Sequence, residues 1–224
     1  VPFGTITSLH ESPLRFGQLA VGTDDGLIQI SRDGGNTWNA LTSPVPQNTK
    51  RNELLWVSEV LWSPHHEQRL YVALNGYRLD HFDSWIFMTE NDGRTWTRLG
   101  GKDLPCEPVN ALVESASREG TLFAGTDGGA YVSFNDGSNW SALHPDLPAV
   151  PVHDLVIQER ENELVIGTHG RSIWVLELDA MWKHWDASEL WSDAIPAAFV
   201  LSEIETIEFD EQWGERGWSW SEPR

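Results

Sequence analysis

The stretch SFNDGSNW, Ser133 to Trp140, decides how this chain reads. Alone it is a polar turn that ends on a large aromatic. Nearly the same turn occurs twice more, as SRDGGNTW from Ser31 and TENDGRTW from Thr89. A turn that returns at even spacing marks a repeated structural unit, and function has to be sought relative to that unit.

More of the unit appears when the chain is aligned on these turns. Upstream of each lies an apolar run that ends in small residues: LAVGTDDG from Leu19, LYVALNGY from Leu70 and LFAGTDGG from Leu122, with a fourth copy, LVIGTHGR, from Leu164. The third residue after each leading Leu is Gly22, Ala73, Gly125 and Gly167, at spacings of 51, 52 and 42 residues. Further upstream sit ITSL, VSEV, VNAL and VHDL, from Ile6, Val57, Val109 and Val152. After the anchor comes a third apolar segment, and after the octapeptide a fourth: WNAL, WTRL and WSAL. The unit reads strand A, loop, strand B, Gly-rich turn, strand C, octapeptide, strand D. The segments are short, rich in β-branched and aromatic residues, and bounded by Gly, Pro, Asn and Asp. A repeated four-stranded antiparallel unit of about 40 to 50 residues predicts a β-propeller blade. The expected fold is all-β, with blades over about 1–45, 54–104, 107–148 and 150–178. The fourth lacks an octapeptide. Residues 181–224 form a Trp-rich extension, for which DAMWKHWDASELW suggests a helix and AAFVL with ETIEF a closing strand or the start of a linker.

The octapeptide has the physics of a hairpin loop. Gly35, Gly93 and Gly137 supply a backbone angle that other residues resist. Asp33, Asn91 and Asn135 can accept hydrogen bonds from the loop's own amides, and Ser31, Thr89 and Ser133 do the same more weakly. Trp38, Trp96 and Trp140 fold back to bury apolar surface. A calcium loop would need a closing Glu about twelve residues from its first ligand, and no copy has one. The motif is therefore read as a structural staple, with no metal and no cofactor.

Fifteen Lys and Arg stand against thirty-four Asp and Glu, a net charge of −19, which disfavours nucleic acid and anionic membrane surfaces. The single Cys106 excludes an internal disulfide and a cysteine-rich metal site. No apolar run approaches the ~20 residues that span a bilayer, so membrane insertion is not expected. The chain begins with Val1, which is expected of a processed protein or a piece of a longer one.

The pattern Ser/Thr-x-Asp/Asn-x-Gly-x-Thr/Asn-Trp resembles the bacterial neuraminidase repeat, or Asp-box. GTHGRSIWVLEL looks like the last-blade signature of Asp-box propellers related to the sortilin ten-bladed propeller, and ALNGYRLDHFDSWIFMTENDGRTW resembles their blades with an elongated B–C loop. LPCEPVNAL and LPAVPVHDL look like their blade connectors. The resemblance covers about residues 1–180. It implies the C-terminal part of a larger propeller, with a closed four-bladed ring as the alternative. It also implies a secreted, periplasmic or cell-surface setting. Sortilin-like propellers bind peptides and proteins, whereas sialidases and xyloglucanases with the same boxes cleave glycosidic bonds.

Strand direction puts the B–C turns and D–A connectors on one face and the A–B loops and boxes on the other. Propellers usually bind on the first face. Its candidates are Asp24 and Asp25, then Tyr77, Arg78, Asp80 and His81, then Asp127, then His169 and Arg171; the connectors add Glu107, Asn110, His144, Asp146 and His153. The loop NGYRLDHFD suits recognition of a polar partner or packs on the neighbouring blade. Arg171 is read first as an ion-pair partner of a carboxylate. Glycoside hydrolysis would need two carboxyl groups about 5 to 10 Å apart across a cleft, which Asp24 or Asp25 with Asp80 or Asp127 could supply. Asp before Gly is also ordinary turn chemistry. A zinc site at His65–His66 is not expected. The leading expectation is a propeller that binds a peptide or protein; the alternative is a glycoside hydrolase fragment acting on a glycan.

Overall fold

The structure, a computed structural model, describes residues 4–45, 55–99, 103–143 and 147–187. It consists of successive antiparallel sheets. The first holds β1 (Ile6–Glu11), β2 (Leu19–Thr23), β3 (Ile28–Ser31) and β4 (Asn39–Ala40). The second holds β5 (Trp56–Trp62), β6 (Leu70–Gly76), β7 (His81–Thr89) and β8 (Thr97–Leu99). The third holds β9 (Val109–Glu114), β10 (Leu122–Thr126), β11 (Gly129–Ser133) and β12 (Ser141–Ala142). The fourth has three strands, β13 (Val152–Gln158), β14 (Glu163–Thr168) and β15 (Ile173–Glu177). The chain then turns into α1 (Leu178–Ala187), where the other sheets have an octapeptide and an outer strand. Four consecutive meander sheets with almost no helix are a four-blade portion of a β-propeller. The closing strand or linker expected beyond residue 187, and the candidates His144 and Asp146, lie outside the described residues.

Three apolar seams between sheets take the place of one core. The second strand of each sheet shows why. In β6, Leu70, Val72 and Leu74 face the first sheet, whereas Tyr71 and Ala73 face the third. In β10, Leu122 and Ala124 face back and Phe123 faces forward. Side chains alternate with period two, so a strand buried on both faces reads as an unbroken apolar run. The recurring small residue has a steric purpose. A Cβ on Gly22 would overlap Val57, and one on Gly125 would lie 2.7 Å from Val152 Cγ1. The first and third sheets thus each offer a hollow that receives a valine from the start of the next sheet's inner strand, Val57 or Val152.

Among the described residues, no other sheet covers the two ends of this series. Val57, Val60, Val109, Leu112, Val152 and Leu155 are buried against a preceding sheet, whereas Ile6 and Leu9, which hold the same positions in the first sheet, are 60% and 61% exposed. At the other end, the nearest side chain to a Cβ on Gly167 is Asp154 of its own sheet, 3.5 Å away. The fourth sheet does not pack back on the first as consecutive sheets pack on each other. The four blades make an arc rather than the closed ring considered from the sequence.

Each octapeptide is closed by its own hydrogen bonds. Ser31, Thr89 and Ser133 each accept the Gly N–H four residues on, at 2.9, 3.0 and 2.9 Å. The Oδ1 of Asp33, Asn91 and Asn135 accepts the N–H of Thr37, Thr95 and Asn139, each at 2.9 Å. Two successive positive φ angles make the turn, +72° and +89° in the first copy and +55° and +76° in the third. The Thr37 hydroxyl and amide, then Ser31, hold the Asp33 carboxyl down at about 2. Asn91 and Asn135 do the same work without charge, so the loop needs an acceptor in that place and not an anion. Ser133 is fully buried. Its replacement by Ala strands the Gly137 N–H, and chemical denaturation should register a loss of about 1–2 kcal/mol.

The boxes also bind one blade to the next. Trp96 Nε1 donates to Thr42 O of the preceding blade at 2.9 Å. Arg32 of the first box pairs with Asp92 of the second at 2.5 Å, and Arg69 joins Glu90 at 2.6 Å to Asp136 of the third box at 3.1 Å. At the third junction the second box position is Phe134, and it meets the Trp182 ring of α1 edge-on at 6.2 Å. Leu178, Met181 and Trp182 complete the third apolar seam. The helix occupies the place of a fourth box.

Candidate functional site

The face formed by B–C turns and D–A connectors carries two separate groups of candidates. The β6–β7 connection is a single 3-10 turn, Tyr77–Leu79, closed by Asp80 in the left-handed region at φ 57°. The Asp80 N–H returns to Tyr77 O at 3.3 Å. Tyr77 is 61% exposed and meets Phe82 edge-on at 6.0 Å. The Arg78 guanidinium sits 4.9 Å above the Trp56 ring. His81 pairs with Gly76, which has no room for a side chain, because a Cβ there would lie 2.6 Å from His81 Cβ.

A chain of amides couples this loop to the third blade. Asn75 Oδ1 accepts the Tyr77 N–H at 3.0 Å, Asn75 Nδ2 donates to Asn110 Oδ1 at 2.9 Å, and Asn110 Nδ2 donates to Asp127 Oδ1 at 2.9 Å. Tyr77, Arg78 and Asp127 are thereby held in one frame across two blades. Beneath them Glu107 fills the space beside Gly128 and accepts the Thr126 hydroxyl at 2.6 Å. The second group is His169, whose ring meets that of His153 edge-on at 5.4 Å. Arg171 is exposed. Its carbonyl accepts Trp174 Nε1 at 2.8 Å, and no carboxylate pairs with it among the described residues.

The carboxylates named for hydrolysis are largely spent on their own loops. Asp24 Oδ1 accepts the N–H groups of Gly4 and Thr5 at 2.8 and 2.9 Å, which hold its pKa below the ordinary value. Asp25 takes the Thr23 hydroxyl. His65 and His66 point to different partners, Ser115 O at 2.8 Å and Glu119 at 2.5 Å, both on the third blade's A–B loop. Among the described residues no three His, Cys, Asp or Glu groups converge on a metal position, and no helix is long and apolar enough to cross a membrane.

A cavity missed in the sequence lies on the opposite side, where the inner strands β1, β5, β9 and β13 converge toward the A–B loops. Its volume is about 320 Å³. His10, Glu59, Glu114 and Glu159 line it among leucines, valines and prolines. Burial pushes the Glu59 carboxyl up to about 7, with the Ser8 hydroxyl and the Val60 amide opposing and Asp154 adding to the rise. Ser8 Oγ donates to Glu59 Oε1 at 2.6 Å. Burial pushes the His10 imidazole down, and its Nδ1 accepts the Trp62 N–H at 3.1 Å. The signal was a Glu inside the apolar-rich VSEVLW, which reads as a solvent-facing residue until four such strands are brought to one axis.

No family model and no curated protein matches this sequence. Solved structures do resemble it. YCF48 bound to D1 peptide shares 18% identity at a TM-score of 0.57, over 79% of this chain and 53% of that one. The GH74 xyloglucanase from Xanthomonas campestris shares 19% identity at a TM-score of 0.61, over 79% of this chain and 31% of that one. The extracellular domain of the putative one component system BT4673 from B. thetaiotaomicron shares 18% identity at a TM-score of 0.57, over 78% of this chain and 22% of that one. The match thus spans about half or less of these three proteins. At such identities the likeness establishes the fold alone, a β-propeller.

Proposed function

We infer that this chain is the binding part of an Asp-box propeller of the sortilin-like type, which engages a peptide or protein through its B–C and D–A loop face. The observation that carries the reading is the β6–β7 loop. Its exposed Tyr77 and Phe82 and its cation Arg78 are fixed by Trp56 and by the Asn75–Asn110–Asp127 chain. Rigid aromatic and Arg groups on a loop suit protein recognition, because little side-chain freedom is lost on binding. His153, His169 and Arg171 extend the same face. The peptide-bound propeller among the similar structures supports this reading, and the extracellular one supports a secreted, periplasmic or cell-surface setting.

The test is a displayed random-peptide library selected on the full chain. Tyr77→Ala and Arg78→Ala should each weaken a selected peptide about tenfold or more, the ~1–3 kcal/mol expected of an anchor residue. The competing reading, a glycoside hydrolase fragment, draws on the likeness to a xyloglucanase. Turnover on a glycan panel that vanishes in Asp80→Asn or Asp127→Asn would install it and displace ours.

A further inference from the structure

We propose that two copies of this chain dock head to tail, the first sheet of each against the fourth sheet of the other. This association is independent of the peptide-binding reading given above.

The two faces are the halves of a junction that the chain already builds within itself. Ile6 and Leu9 stand where Val57 and Val60, one sheet on, are fully buried. On the far side, Ile173 lies across from Gly167 as Ile28 does from Gly22 and Ile86 from Ala73. Ile28 and Ile86 are 1% and 0% exposed under the sheet that follows them, whereas Ile173 is 62% exposed. Val156 holds the register place of the buried Leu61 and is 53% exposed. The space above Gly22 is filled by Val57; at Gly167 the nearest atoms belong to Asp154 of its own sheet. Ile6 is β-branched like Val57 and occupies the matching position, so its side chain fits that space.

Charge identifies the occupant as a second copy. At the first two junctions a sheet offers basic side chains to acids of the next. Between A–B loops, Arg15 meets Glu67 at 2.9 Å and His66 meets Glu119 at 2.5 Å. Between boxes, Arg32 and Arg69 meet Asp92 and Asp136. The loops 12–18, 63–69 and 115–121 align without a gap, and so do the boxes. In that alignment the first sheet has Phe16 in place of Glu67 and Glu119, and Gly34 in place of Asp92 and Asp136. Both acids are thus missing from it, and the Phe16 ring is 95% exposed. A preceding sheet that carried such cations would leave them unmatched. The fourth sheet brings none: it has no box, and Arg160 of its A–B loop is paired with Glu161 at 2.8 Å. The two ends therefore match in apolar surface and in the charge they lack. Contiguous exposed apolar surface of this kind marks an association site. A twofold axis satisfies both ends of both copies, so growth stops at two.

Sedimentation velocity of the full chain in ~0.3 M salt, which screens the net charge of −19 on each copy, tests this. The mass should step from one chain to two as concentration rises. Ile6→Glu charges one face and Gly167→Leu fills the other, and each should weaken the dimer at least about tenfold. A leucine at Gly167 first meets Asp154 at an ordinary 3.5 Å, and Ile6 is exposed in the single chain, so both variants should keep the parent's circular dichroism. Leu9→Glu gives a second variant of the first face. An equimolar mixture of Ile6→Glu and Gly167→Leu retains one intact junction per pair and should recover association that neither shows alone. A single chain mass at every concentration, a dimer untouched by these variants, a mixture that recovers nothing, or growth past two copies would overturn the assignment.

Discussion

Replacing Trp140 by alanine should cost about 3–5 kcal/mol, while Trp38→Ala should cost less than about half as much, although both residues close the same motif. The difference comes from the neighbours. Trp140 is 3% exposed and belongs to the seam between the second and third blades, beside Leu99 and Leu104. Trp38 is 39% exposed, with no preceding sheet packed on it among the described residues. Their local bonds are alike, Nε1 to the box Gly carbonyl at 3.1 and 3.0 Å, so these cancel in the comparison. Small domains hold only about 5–15 kcal/mol in total, so Trp140→Ala removes a large share of it. Urea denaturation of the two variants measures the contrast. Equal losses would mean that the indole acts within its own hairpin and not on the seam.

Glu59→Gln should leave stability near that of the parent at pH 4.5 and raise it by up to ~3 kcal/mol at pH 8. The carboxyl lies at about 7 in the fold against 4.5 ordinarily. Below both values it is protonated folded and unfolded, and it contributes no pH dependence. As pH rises from about 4.5 to 7 the unfolded chain loses this proton first, so the unfolded state gains and stability falls; above 7 the loss levels off. Gln keeps the acceptor for Ser8 Oγ and never ionises. Denaturation midpoints across pH 4.5 to 8 should therefore diverge for the two proteins. Parallel curves would show that Glu59 titrates normally and that the channel interior is well hydrated.

These two residues mark the division between what the sequence discloses and what it does not. The blades are legible because each carries its own punctuation: a leading Leu, a small residue three positions on, and a turn closed by Trp. Such signals are local, and the order of strands follows from them. Burial of a given Trp is not local. Trp38 and Trp140 sit in equivalent stretches and differ only in what stands before them. Glu59 likewise reads as a polar residue in a strand, and its partners Ser8 and Asp154 come from other blades. Asp24 and Asp25 are offered by the sequence both as carboxylates for a cleft and as turn residues, and in the fold they are held by Gly4, Thr5 and Thr23. One hint of the helix at the last junction was present. The second box position is Arg32, then Glu90, then Phe134, and the change from charge to ring anticipates Trp182 in place of an ion pair.

The hollow at Gly22 and Gly125, filled each time by a β-branched side chain from the next inner strand, makes these junctions chemically interchangeable. A unit duplicated in frame would meet neighbours it already fits, so the architecture can grow or shrink by whole modules without a new core being invented. Growth also has a direction: one terminal surface supplies the peg, Ile6, and the other the socket, Gly167.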